Sequence, residues 1–188
     1  MVLGLPRGGV VLGAEIALTL RAPLDVLVVR KLGHPRQPEL GLGAIAEDGV
    51  RVLNEALVAR LGVTDDELDA VTAVERAELA RRVALYRPGP RQPLTGATAV
   101  IVDDGLATGY TALAALRSAR RCGAGRTVLA VPVGAKEAVA LMRPAVDELV
   151  CLVVPEVFGS VGQAYRTFGQ VPDEEVVAVL ARSRRARA

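Results

Sequence analysis

The 188-residue chain has no tryptophan, two phenylalanines, three tyrosines, two methionines, two cysteines and one histidine. With 3% aromatic against 51% hydrophobic residues, its core must be built from Val, Leu, Ala and Ile. Cys122 and Cys151 are too few for a disulfide framework, so the chain reads as a cytoplasmic protein with reduced, buried or half-buried thiols. His34, alone in a loop, reads as a surface residue. No apolar run reaches membrane-spanning length and no signal peptide is visible, so no membrane partner is expected. Neither sign of charge dominates: 23 basic and 21 acidic residues leave +2, too balanced for a nucleic-acid binder. The scarcity of rings argues the same way against an RNA surface. No Gly-x-Gly-x-x-Gly follows a strand and no Walker lysine is present, which sets aside a dinucleotide domain and a P-loop. The lack of Gly-x-Ser-x-Gly weakens a hydrolase acting on sugar phosphates. The arginine-rich tail Arg182–Arg187 reads as a frayed, solvated end.

What is present alternates. Met1–Leu5 is a strand run, Pro6-Arg7-Gly8-Gly9 a loop, and Val10–Leu20 a helical pattern. Leu24–Val29 is a second β-branched run, ending in Arg30-Lys31. Residues 32–43 carry Gly33, Pro35, Pro38, Gly41 and Gly43 and read as a mobile loop. Ala44–Ala46 and Arg51–Leu53 flank the turn Glu47-Asp48-Gly49, whose Asp-Gly is a hairpin signal. Thr64-Asp65-Asp66-Glu67 forms a capping box that opens a helix running to Tyr86, with Leu68, Val71, Leu79, Val83 and Tyr86 on its buried side. Thr127–Val131 and Glu148–Val154 are strands; Lys136–Met142 and Asp173–Ala181 are helices. The pattern predicts one α/β domain over residues 1–188, with an open, mostly parallel sheet and helices on both faces.

The most specific segment is Val100–Thr111. A buried strand delivers Asp103 and Asp104, a small-residue loop follows, and a helix containing Leu113 and Leu116 begins. Ligands of open α/β sheets bind at the carboxyl ends of strands, and a helix start favours phosphate. Two carboxylates beside a phosphate cradle suit sugar hydroxyls or a metal ion. The implied ligand is a phosphorylated sugar. The bland alternative is a solvated Asp-Asp turn with Thr108 as an ordinary helix cap.

This segment resembles the phosphoribosyl pyrophosphate (PRPP) signature of type I phosphoribosyltransferases. The resemblance covers nearly the whole chain in element order. It is nearest to uncharacterised bacterial relatives with Leu-Pro-Arg-Gly-Gly and Asp-Asp-Gly-x-Ala-Thr-Gly, and it implies that fold with a small hood and a flexible loop. It implies that Asp103 and Asp104 hold the ribose hydroxyls and that Gly105, Ala107, Thr108, Gly109, Tyr110 and Thr111 line the 5′-phosphate. Leu5–Gly9 resembles the pyrophosphate loop, with Pro6, Arg7 and Gly8 as its binding residues and Pro6–Arg7 as the cis peptide common in the family. Arg30-Lys31 resembles the start of the catalytic loop, which makes Lys31 the cation that meets the leaving group. The implied reaction moves ribosyl-5-phosphate from PRPP to a nitrogenous base, with Mg²⁺ bound alongside PRPP near Asp103 or Asp104 rather than in a side-chain cage. Phe158 or Tyr165 would stack on the base. A homodimer is the family expectation. A second reading is a regulatory protein of the same fold that binds PRPP or a nucleotide without catalysis.

Three features depart from the family. Tyr110 occupies a position that is commonly small, so its ring should point away from the phosphate or over the pocket mouth. Leu106-Ala107-Thr108 lacks the further acid of the 6-oxopurine enzymes, and no general acid or base for the acceptor is evident. The chain starts inside its first strand, where relatives place a helix beforehand.

Overall fold

In a computed structural model, which describes residues 1–185, the chain lays down a five-stranded sheet in the order β2-β1-β6-β7-β8, parallel throughout. The strands are β1 (Val2–Gly4), β2 (Leu24–Val26), β6 (Thr98–Val102), β7 (Arg126–Val133) and β8 (Glu148–Val153). Between β2 and β6 the chain builds a second sheet, antiparallel, from β3 (Val29–His34), β4 (Gln37–Ala46) and β5 (Arg51–Leu53). The helices are α1 (Gly8–Thr19), α2 (Glu55–Leu61), α3 (Asp65–Tyr86), α4 (Tyr110–Arg121), α5 (Lys136–Met142) and α6 (Asp173–Arg185).

The expected parallel sheet with helices on both faces is present. One face packs β1 and β6 on α4 and α5 through Leu3, Ile101, Leu113, Leu116, Val139 and Met142. The other packs Val2, Val26 and Val102 on α1, α3 and α6 through Val10, Leu79, Tyr86 and Val176. Apart from Tyr86 and Met142, the buried core is aliphatic, as the shortage of rings requires.

Three expectations are corrected and one helix is additional. Leu24–Val29 is not one strand: after Val26 the chain leaves the large sheet, and Val29 opens β3 in the small one. The run reads as one strand because both ends are buried and only Asp25 interrupts its apolar residues, which hides the crossing. Residues 32–43 are not a structureless loop but most of the β3–β4 hairpin, bulged at Leu32/Gly33 and Gly33/His34. Gly33 lies so close to the Pro38 carbonyl that a Cβ would collide with it, so the residues that punctuate the sequence are needed by the bulge. The short helix α2, capped by the Asn54 side chain accepting from the Leu57 amide, carries too few residues to show a period. The tail is no frayed end as far as Arg185, because α6 continues and Arg184 donates to the Tyr86 carbonyl. Ala186 and Arg187 lie outside the described residues.

The capping box is as expected: Thr64 and Glu67 satisfy each other's backbone amides. The Glu67 carboxyl lies below its usual value, held there first by the Thr64 backbone N–H.

Candidate functional site

Strand order sets the site. From β1 the chain turns to β2 on one side, while β6 lies on the other. The carboxyl end of β1 feeds α1 on one face, and that of β6 feeds α4 on the opposite face. The two loops therefore part and leave a crevice at the switch in strand order, where open α/β sheets hold ligands. A cleft of about 670 Å³ opens there.

The structure brings most of the singled-out residues to this cleft. Pro6, Arg7 and Lys31 line it, as do Asp103, Asp104, Gly105, Ala107, Thr108, Gly109 and Thr111. Gly8 lines an adjoining chamber of about 570 Å³, which shares Arg7 and Asp104 with the cleft. Tyr110 lines neither; its half-buried ring packs against the α4 side of the core, so it points away from the loop as expected. The Pro6–Arg7 peptide is cis.

Three devices hold the acid loop. The Asp103 amide donates to Ala130 O at 3.3 Å and the Leu106 amide to Val133 O at 2.9 Å, so the loop extends the β6–β7 ladder. The Asp104 amide donates to Asp103 Oδ1 at 2.9 Å. On the other side, a Cβ at Gly8 would strike the Asp104 carboxylate, so only glycine lets that acid sit against the start of α1. Both acids are half-buried. Burial raises the Asp103 carboxyl well above its ordinary range, reinforced by the neighbouring Asp104 charge and opposed by Lys31. Burial also raises Asp104, again with Lys31 pulling it down.

The phosphate-type loop ends at Gly109, in the left-handed region at φ 84°, which glycine adopts without steric cost. Gly109 precedes the first residue of α4, and no side chain caps that helix start. Thr108 is therefore not the cap, contrary to the bland reading. The first amides of α4 remain as donors at the positive end of the macrodipole.

Cations around the cleft are unequally committed. Arg30 lies 2.7 Å from Glu75, and Arg82 lies 2.7 Å from Glu78. Lys31 has no ion pair within 4 Å among the described residues, and Arg7 only a long one to Asp173. The outer wall of the cleft comes from α3, through Val71, Val74, Glu75 and Arg82. Sequence reasoning placed Val71 on the buried side of α3 but gave none of these four a part in the site, because the scatter of charge along α3 does not mark which residues face a ligand. His34, read as a surface residue, also lines the cleft; its Nδ1 accepts from the Arg36 amide at 3.1 Å.

Residues 154–172 fold over the acid loop. Tyr165 Oη donates to Asp104 O at 2.7 Å, and its ring lies 5.1 Å from that of Phe168. Both rings line the adjoining chamber with Val11, Leu12, Thr167 and Gln170. Phe158 lines neither space and packs against the core. No cluster of three or more His, Cys, Asp or Glu side chains is placed to ligate a metal among the described residues. No helix is long and apolar enough to cross a membrane among them.

A family model described as a phosphoribosyl transferase domain matches residues 1–163. Two curated proteins of Mycobacterium tuberculosis, from strains CDC 1551 / Oshkosh and ATCC 25618 / H37Rv, are 55% identical over 186 residues and carry provisional phosphoribosyl transferase names. The matches span 98% of this chain but only 42% of each of those relatives. Among solved structures, the protein TT1426 from Thermus thermophilus aligns with a TM-score of 0.79 at 43% identity, covering 96% of this chain and 86% of that one. The protein AQ2163 from Aquifex aeolicus shares the fold, at TM-score 0.50 and 16% identity, over 86% of this chain and 57% of its own.

Proposed function

Because the chain belongs to the phosphoribosyl transferase domain family, we propose that it moves ribosyl-5-phosphate from PRPP to a nitrogenous base and releases pyrophosphate. The observation that carries this reading is the meeting, in one cleft at the switch in strand order, of Asp103 and Asp104, an uncapped helix start and two loosely committed cations.

Each group has a task. Asp103 and Asp104 accept from the ribose 2′- and 3′-hydroxyls. The amides of residues 107–111, with the Thr108 and Thr111 hydroxyls, take the 5′-phosphate. Arg7, with the backbone of Pro6 and Gly8, binds the pyrophosphate end through paired N–H donors. Lys31, at the base of the β3–β4 hairpin, meets the charge that grows on the leaving oxygen. The C1′–oxygen bond breaks with its electron pair leaving on pyrophosphate, and the acceptor nitrogen supplies the pair for the new C1′–N bond. The carboxylates on one side of the sugar favour the positive charge that develops on the ring. The chamber lined by Tyr165, Phe168, Val11 and Leu12 receives the acceptor's flat faces, and Gln170 and Thr167 meet its polar edge.

The donor chemistry fits Mg²⁺ carried in with the substrate, because Asp103 and Asp104 are adjacent hard-oxygen carboxylates lining the cleft. When bound, the ion neutralises part of the diphosphate charge.

The test is calorimetry of PRPP with Mg²⁺ against wild type and Asp103→Asn/Asp104→Asn. Loss of binding in a protein that still melts cooperatively supports the assignment; unchanged affinity overturns it. Pyrophosphate release across a panel of bases then identifies the acceptor, and release with none of them favours the regulatory reading.

A further inference from the structure

Arg7 borders both the cleft and the adjoining chamber, and its side chain is about one-quarter exposed. Among the described residues, one carboxylate lies within ion-pair reach of it: Asp173, the first residue of α6, with Oδ1 3.9 Å from Arg7 Nη1. That carboxylate is fixed from behind. Tyr86 Oη, at the buried end of α3, donates to the same Oδ1 at 2.6 Å. Arg81 Nη2 stands 3.5 Å from Oδ2, and Arg81 is itself bound to Glu78, through Nε at 2.7 Å and Nη2 at 3.0 Å. The Tyr86 hydrogen bond, then Arg82, Arg81 and Arg7, hold the Asp173 carboxyl below its usual value, so it stays charged at neutral pH. The Tyr86 phenol is pushed the other way, to about 12, mainly by burial.

The spacing is what matters. Arg30 and Arg82 sit in closed pairs at 2.7 Å, with donors spent on their carboxylates. At 3.9 Å the Arg7 pair is too long for a hydrogen bond, so it orients the guanidinium by charge while leaving its donors to an incoming anion. We propose that Asp173, clamped by Tyr86, is a positioning residue that holds Arg7 toward the cleft for the pyrophosphate end of the substrate. This rests on the proposed PRPP site and assigns α6 and the end of α3 a part in it.

A double-mutant cycle tests it. PRPP and, separately, inorganic pyrophosphate are titrated with Mg²⁺ into wild type, Arg7→Ala, Asp173→Asn and the double variant. Asn keeps the size of the side chain and still accepts from Tyr86, so α6 should stay docked, as melting will show. In the presence of Arg7, Asp173→Asn should weaken both ligands about five- to tenfold; in the Arg7→Ala background it should add nothing. Asp173→Glu, which keeps the charge, should bind within about twofold of wild type. Equal losses in both backgrounds mean that Asp173 acts only on the fold and overturn the proposal. So does no loss in the first background. If wild type binds pyrophosphate but not PRPP, the ribosyl reading fails while the coupling stays measurable; if it binds neither, both fall.

Discussion

Asp103 and Asp104 place two like charges side by side in a half-buried loop, with Lys31 as the cation that lowers both. Such an arrangement opposes its own ionisation. The folded carboxyl of Asp103 titrates above its unfolded value of 3.8, so the folded state binds more protons over that range. This contribution to stability is complete below the unfolded value and is lost as pH rises toward the folded one. Asp103→Asn removes the titration. Its melting temperature should exceed that of wild type by about 2–4 °C near pH 9, with the gap shrinking near pH 5. A constant gap across that range would disprove the assignment. Lys31→Ala makes the complementary case for catalysis. If Lys31 meets charge that appears only as the bond breaks, kcat for pyrophosphate release should fall about 10²–10³-fold while PRPP affinity changes little. The acids were legible because strand, acid pair, loop and helix follow one another without interruption. Asp173 was legible only as a helix-start acid, since nothing in the sequence tells that α6 returns to Arg7.

Among the elements, those whose local chemistry and packing agree were readable. The box at Thr64–Glu67 fixes the start of α3, and Lys136–Met142 and the strands around it match to within a few residues. The β3–β4 hairpin was not readable, because its glycines and prolines serve bulges and close approaches that look like loop punctuation. The start of α4 was readable in position but not in its cap. Gly109 stands in the left-handed region, and a Cβ there would also meet Met142 Cε at 3.3 Å. Gly109→Ala should therefore cost about 1–2 kcal/mol of stability and weaken PRPP by disturbing the amides of the phosphate loop. Thr64→Ala removes a cap far from the cleft. It should cost about 1 kcal/mol in urea unfolding with PRPP affinity unchanged, which separates the stability of α3 from the binding function of α4.

For the molecule as a whole, the decisive joint is where the chain leaves the large sheet for the small one, between Val26 and Val29. The joint is ionic. Glu47, just beyond β4, accepts from the Val28 amide at 3.1 Å and from Arg87 at 2.7 Å; Arg91 stands 3.4 Å away. Arg87 also donates to Val26 O at 3.1 Å and lies 3.6 Å from Asp25. The side chains of Glu47, Arg87 and Asp25 are all less than 10% exposed. One cluster thus ties β2, the end of β4 and the exit of α3 together, and it fixes the base of the hairpin that carries Lys31. From sequence, Glu47 was only the first residue of a turn, because its arginine partners lie 40 and more residues away. Breaking a buried pair on one side leaves the other charge uncompensated. Glu47→Gln should lower the unfolding free energy by about 3 kcal/mol and shift the urea midpoint with little change in slope. Glu47→Gln/Arg87→Met removes that pair but leaves Asp25 and Arg91 without their partners, so it should recover little of that loss. If the single change costs no more than a surface pair, under about 1 kcal/mol, the two sheets are joined by their apolar contacts alone.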